Sequence, residues 1–564
     1  MKNRLLIISL LLLCLVVLGM PSALTQTGMA AQAGLPNLVA AGDVTQTSAV
    51  LWARSQTVGV VTFEYALDAN FTTILGQAQA LVTDPLQPVK VSITGLRPNT
   101  VYHYRATDAM GASSRGRFRT PAALGSRLGL RFGVSGDWRG DLAPYPSVRN
   151  APELDLAFFV ALGDTIYSDY PSPDVPLAQT RTLEEFRRKH NEVYSTRTGL
   201  NTLGDLRAST AILAMIDDHE VTNDFAGGAP PSSDPRFSDM VQFINDTELY
   251  ENGLQAFQEY NPINDEFYGD TGEPRTANER KLYRSITYGS DAAVFLLDAR
   301  SFRDEPLEPV RDITNQDEVR QFLIAAFNPN RTMLSRVQLE ELKADLLRAH
   351  LNGITWKFII VPEPIQNFGP LAAEDRFEGY AAERNELLAF IHTNNIKNVV
   401  FIAADIHGTV VNNLTYQTHV GGPQIPTSAW EITTGAVAFD APFGPTVVAL
   451  AAQAGLLTEA QVNAYRALPR RLRDAFLKEL MDTVIEGYGY DKTGLEGSGI
   501  DARLITGGYV AVHTYGWTEF RIDATSQQLR VITYGIDPYT PAQAAGAANR
   551  RPSVVSEFVV NPRN

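Results

Sequence analysis

The chain has 564 residues, too many for one ordinary core, so at least two domains are expected. Apolar residues make up 44% and charged residues 20%, with glycine and proline scattered, which excludes a disordered or fibrous protein. The formal net charge of -15 excludes nucleic acid as a partner held by bulk charge, while a small phosphate ester stays admissible because cations in a cleft can invert the local field.

Lys2 and Arg4 precede an apolar run from Leu5 to Leu18, and Gly19, Pro21, Ser22 and Ala23 follow it, which is the pattern of a secretory signal. The run is shorter than the ~20 apolar residues that a membrane-spanning helix needs. Residues 1–33 are therefore read as a signal, and the protein as secreted, periplasmic or held at the cell surface. Cys14, the single cysteine, lies within that run, so the mature chain has no disulfide and must rely on packing and bound metal.

Between residues 34 and 123 short strands are expected at 49–54, 61–65, 89–93 and 101–107, with a last one at 116–121. Pro98-Asn99 makes a turn, from which the Tyr102 hydroxyl can return to backbone. This segment resembles a fibronectin type III β-sandwich, with Trp52 in its core and 122–126 as a linker.

After Arg127 apolar strands alternate with helical stretches, which argues for an α/β layered domain over 127–545, followed by a C-terminal tail at 546–564. Strands are expected at 130–135, 156–162, 211–216, 293–297, 357–361 and 399–404. Helices are expected at 182–194, 336–349 and 381–393, and a long amphipathic one at 458–485 forms an insertion on the rim.

Four of these strands end in hard oxygen or imidazole ligands: Asp137; Asp164 with Tyr167; Asp217-Asp218-His219-Glu220; and Asp405 with His407. A single aspartate after a strand is usually a turn former or a cap. Repetition changes that reading, because several carboxylates meeting at one sheet edge repel unless cations hold them together. Gly163 lets the chain turn sharply out of its strand, Asp164 can bridge two ions, and a Tyr167 phenolate favours a hard trivalent ion such as Fe(III). In Asp405-x-His407 alternate residues face the same way. Oxygen and nitrogen ligands without thiolate suit a catalytic site with open positions.

These motifs, together with Leu297-Asp298-Ala299-Arg300-Ser301-Phe302-Arg303 and Phe377-Glu378-Gly379-Tyr380, are similar to those of the PhoD-like alkaline phosphatase and phosphodiesterase family of calcineurin-like metallophosphoesterases. The resemblance covers nearly the whole mature chain. It implies an N-terminal sandwich followed by an α/β four-layer metallophosphoesterase domain, in which a β-sandwich core is flanked by helices. It also implies that Asp164 bridges two metal sites, that Tyr167 and His407 complete the Fe(III) side, and that Asp218 and Asp405 serve a divalent side, often calcium. Relatives carry a Ser-Cys pair where this chain reads Ser135-Gly136-Asp137, so Asp137 either takes over as ligand or leaves that position to solvent. Ala404 stands where the family has glycine.

The implied reaction is in-line attack on phosphorus by a metal-activated hydroxide, with His219 as general acid beside Asp218 and Glu220 orienting the His219 ring. Asn223 is a candidate ligand of metal or phosphate. Arg300 either supports the floor of the site through an ion pair with a carboxylate such as Asp298 or contacts the phosphate. The expected substrate is a small phosphate mono- or diester, with phospholipid headgroups in range. A competing reading is a non-catalytic surface or matrix binding protein on a degenerate phosphatase scaffold, and another is a structural calcium protein.

Overall fold

Residues 34–563 are described by a computed structural model, and the expected signal segment with Cys14 lies outside the described residues. Alternation of apolar side chains sets the layers. Ala292–Leu296, Trp356–Ile360 and Val399–Ala403 are strands buried at every position. Val294, Phe358, Ile360, Val400 and Ile402 join one apolar cluster with Phe132, Phe158 and Phe520 of a facing sheet. Phe295, Ile359, Val361 and Phe401 belong to a second cluster with Leu342, Leu346, Leu387 and Ile391 of the helices Ser335–Leu351 and Ala381–Thr393. The two sheets meet where Phe132 and Phe358 cross edge to face, with centroids 5.0 Å apart. The helices Leu183–Val193 and Glu248–Tyr260 bring Phe186, Leu254 and Phe257 into the first cluster.

In the first sheet Leu130–Trp138, Phe158–Leu162 and Ala211–Met215 run parallel as neighbours. In the second, Ala292–Leu296, Trp356–Ile360, Val399–Ala403 and Ile425–Thr433 are likewise successive parallel neighbours. Each parallel group thus gathers its carboxyl ends at one edge, and the candidate ligands follow those ends.

The N-terminal segment forms two sheets. Ile74–Val82, Gly59–Ala66, Val101–Thr107 and Ser113–Arg119 make a separate four-stranded sheet. The other, Val39–Gly42, Ser48–Ala53 and Val89–Thr94, does not stay within a domain of its own, because Val39–Gly42 pairs parallel with Ala211–Met215 and extends the large sheet. The expected return of Tyr102 is present, with the Arg97 backbone N–H donating to its hydroxyl at 2.8 Å.

Three expectations are corrected. Trp52 is buried, but its ring packs on Tyr194, Tyr260 and the Arg207 guanidinium, and its indole N–H donates to Glu259 O at 2.8 Å. It therefore joins the N-terminal sheet to the larger domain instead of filling the sandwich. The helix expected at 458–485 breaks at Leu468-Pro469 into Glu459–Ala467 and Arg470–Glu486, since proline cannot donate within a helix. The expected tail contains the strand Ser553–Val560, which lies between Ala502–Thr506 and Leu529–Ile536 and buries Phe558 and Val560. Among the described residues no helix is long and apolar enough to cross a membrane.

Candidate metal centre

The candidate ligands leave their strands in an unusual backbone state: Asp137, Asp164, Asp405 and His407 have φ of 64, 50, 60 and 58°. The left-handed region costs a non-glycine residue ~1–3 kcal/mol. Packing enforces it. A Cβ on Gly163 would lie 2.5 Å from the Asp217 Cβ, so only glycine lets the turns after two neighbouring strands close together. Glu220 ties the same turns, accepting from the backbone N–H of Asp164 at 3.1 Å, Thr165 at 2.6 Å and Asp217 at 2.9 Å.

Asp137, Asp164 and His407 offer ligand atoms within 4.8 Å of one another, and so do Asp164, Asp218 and His219, with Asp164 common to both groups. His407 Nε2 lies 3.3 Å from Asp137 Oδ1, and the Tyr167 hydroxyl donates to that oxygen over 3.5 Å. The other oxygen of Asp137 is buried without a hydrogen-bond partner, a costly state for a carboxylate that a bound cation relieves. Burial and the nearby charges of Asp218, Asp217 and Asp137 push the Asp164 carboxyl well above its ordinary range. Burial and Asp217 do the same to Asp405, against the pull of Arg300. Such a concentration of carboxylates fits hard cations.

His219 sits with Nε2 4.0 Å from Asp164 Oδ2 and 3.9 Å from Asp218 Oδ1. Its Nδ1 is 2.6 Å from Asp169 Oδ1. Burial alone would lower its pKa, but Asp218 and Asp169 outweigh burial and hold it at about 9, so the ring is cationic at neutral pH in the metal-free protein. Tyr167 packs against this ring at 4.2 Å between centroids, and Phe439 stacks on His407 at 3.8 Å.

Several expected roles change. Asp169, and not Glu220, orients the His219 ring, because both Glu220 oxygens are spent on the backbone N–H groups above. Arg300 is fully buried and does not face an open site: it pairs with Asp217 at 2.6 Å, Glu363 at 2.5 Å and Asp375 at 2.9 Å. Asp298 is not its partner, since that carboxylate accepts from the backbone N–H groups of Arg300 and Ser301, each at 2.9 Å. Asn223 lies on the exposed rim, where its backbone N–H donates to Asp169 at 2.9 Å and its amide donates to Asp224. Asp405 joins neither ligand group and has its Oδ1 3.7 Å from Arg300 Nη2. Sequence reading missed Asp169, Phe439, Glu363 and Asp375. Glu363, which closely follows the strand Trp356–Ile360, carried the same strand-end signal as the residues that were singled out.

The PhoD-like phosphatase family matches residues 134–469, and the PhoD-like phosphatase N-terminal domain matches residues 22–122. Alkaline phosphatase D of Bacillus subtilis (strain 168) is 28% identical over 408 residues, which are 67% of this chain. The match spans 65% of that relative's own length. The solved structure of PhoD superposes on 95% of this chain and 93% of its own with a TM-score of 0.66 and 19% identity, a likeness of fold.

Proposed function

The chain belongs to the PhoD-like phosphatase family, and from that premise we propose that it is a metal-dependent hydrolase of phosphate mono- and diesters, exported by its N-terminal segment. The observation that carries the reading is the sharing of Asp164 between two groups, one completed by Asp137 and His407 and the other by Asp218, with His219 set beside it as the proton donor. Iron(III) beside Tyr167 and His407, with a divalent ion, calcium by preference, beside Asp218 and Asp405, is the occupancy that suits these donors. Held by these residues, such ions would supply charge neutralisation for the ester's nonbridging oxygens and an acidified water.

The rest falls to the chain's own side chains. Asp169 fixes Nδ1 of His219, leaving Nε2 to present a proton to the departing alkoxide. Glu220 and Gly163 hold the turns after two strands in register. Arg300 binds the carboxylates beneath the centre and does not touch the substrate. The seven strands of the N-terminal segment, three in one sheet and four in the other, suit the fibronectin-like reading; Trp52 makes them a structural brace of the larger domain.

The test is metal analysis of the purified chain with turnover of p-nitrophenyl phosphate and bis-p-nitrophenyl phosphate. Hydrolysis that is lost on chelation and restored by metal supports the reading. A metal-saturated protein inert to both esters, and to alkyl phosphates, overturns it in favour of a binding protein.

A further inference from the structure

The turn that carries Asp405 and His407 also carries Ile406, which is packed in an apolar cluster with Val448, Leu477 and Met481 of the helices Phe443–Gln453 and Arg470–Glu486. The Phe443 N–H donates to His407 O at 3.2 Å, so the helical insertion is bonded directly to the backbone of a candidate ligand. Beside this junction is a cavity of about 110 Å³ whose walls include Phe368, Phe443, Val447, Met481 and Val484. Leu450 and Leu456 also line it, 40% and 37% exposed, so apolar surface is left in contact with water.

Arg376 is the single charged side chain in that lining. Its guanidinium stands 5.8 Å from the centre of the Phe368 ring. It is paired with Glu378 at 3.4 Å, and the cavity reaches the metal centre through Phe443, which lines it and whose backbone N–H is bonded to His407 O. A cationic boundary with anion-binding chemistry on one side and an apolar hollow on the other matches a molecule with an anionic head and an apolar arm.

We infer that this cavity is the subsite for an apolar arm, alkyl or aryl, of a phosphodiester substrate. The inference rests on the hydrolase reading above. The leaving oxygen must come within reach of His219, which does not line the cavity, so the arm it receives is the one retained in the product. The product is then a monoester bearing that arm.

The experiment uses the metal-loaded full chain and p-nitrophenyl diesters whose second arm is methyl, butyl, octyl or phenyl, so that the leaving group is constant. Between methyl and butyl, kcat/KM should rise ~fourfold for each methylene that enters the cavity. Val447→Trp, which fills the hollow, and Val484→Asp, which places a charge in it from the other helix, should each collapse the octyl-to-methyl ratio toward unity. A steeper gain for octyl than for phenyl marks lipid-like esters as the source, and the reverse marks aryl esters. A flat series in the unaltered chain, with the methyl ester turned over, overturns the subsite and leaves the hydrolase reading standing. A preference kept by both variants overturns it equally. If no ester is hydrolysed the hydrolase reading fails, and calorimetry with octyl and methyl methylphosphonate then decides the subsite: tighter binding of octyl, lost in Val447→Trp, supports it, and equal binding refutes it.

Discussion

Replacing Asp169 by asparagine tests whether His219 delivers the proton. One Asp169 oxygen is 2.6 Å from His219 Nδ1 and the other accepts from Asn223 N–H at 2.9 Å, so the carboxylate is held on both sides. The side chains of His219 and Asp169 are 7% and 12% exposed, which leaves little solvent screening between them. A charge-assisted hydrogen bond of this kind contributes ~1.5–3 kcal/mol, and a pKa unit is worth ~1.4 kcal/mol. Asparagine preserves shape and an acceptor but removes the charge, so the His219 pKa, about 9 in the metal-free protein, should fall by ~1–2 units. The charged ring is the proton donor, and it is lost as pH rises through the folded pKa; lowering that pKa moves the loss to lower pH. In pH profiles of kcat for an alkyl phosphate, the alkaline limb should shift down by ~1–2 units and the rate above it should drop ~10–100-fold, while p-nitrophenyl esters, whose leaving group needs no proton, lose less than about threefold. Equal losses for both leaving groups with an unmoved limb would show that Asp169 only shapes the loop.

Asp164→Asn should stabilise the metal-free protein, because a buried carboxyl with a raised pKa contributes stability that is lost as pH rises through the folded value. The gain in Tm should be larger at pH 7 than at pH 5, and the variant should lose the further rise in Tm that added metal gives the unaltered chain; a lower Tm at both pH values would refute this. If Tyr167 ligates Fe(III), the iron-loaded protein absorbs in the visible and Tyr167→Phe bleaches it; a colourless, iron-saturated parent rules the ligand out. Arg300→Met strands Asp217 and Glu363 and should cost ~3–5 kcal/mol in chemical denaturation, with Arg300→Lys recovering less than half, since an ammonium cannot serve three carboxylates as a guanidinium does. A rise in KM without loss of stability would instead make Arg300 a substrate contact.

The strands that position the centre were legible because each is an apolar run ended by a polar residue; the helix expected at 182–194 is present as Leu183–Val193, started by a capping box of Thr182 and Glu185. Other features depend on pairings between distant segments. Val39–Gly42 is a short apolar run whose partner, Ala211–Met215, is some 170 residues away, and no local pattern states that the two pair in parallel. Ser553–Val560 is exposed at its first residues, so its place between two other strands is what makes it part of the sheet. The roles of Glu220 and Asp169 were exchanged for a similar reason. Adjacency to His219 suggested Glu220, but that side chain turns back on the backbone, and the partner comes from 50 residues upstream. For Arg300 the sequence offers an ion pair with a carboxylate such as Asp298 or a phosphate contact, and the carboxylates it meets, Asp217, Glu363 and Asp375, come from segments distant in the chain.

The two departures from the family pattern at this centre lie side by side. Gly136 stands where the resemblance puts a cysteine, and Ala404 where it puts a glycine. A Cβ built on Gly136 would lie 3.0 Å from the Ala404 Cβ and 2.8 Å from Leu162 O, so the pair shares space that holds one methyl group and not two. Glycine at 404 relieves the contact with the Ala404 methyl and leaves the one with Leu162 O. One residue later the backbone of Asp137, at φ 64°, sets its carboxylate 3.3 Å from His407. Gly136→Cys alone should therefore destabilise the fold by ~1–3 kcal/mol through overpacking. Adding Ala404→Gly should return part of that loss, with a coupling of ~0.5–3 kcal/mol in a double-mutant cycle by denaturation, although Ala404→Gly alone costs stability. Strictly additive effects would mean that the two sites changed independently and that Leu162 O, not Ala404, is what excludes a side chain at 136.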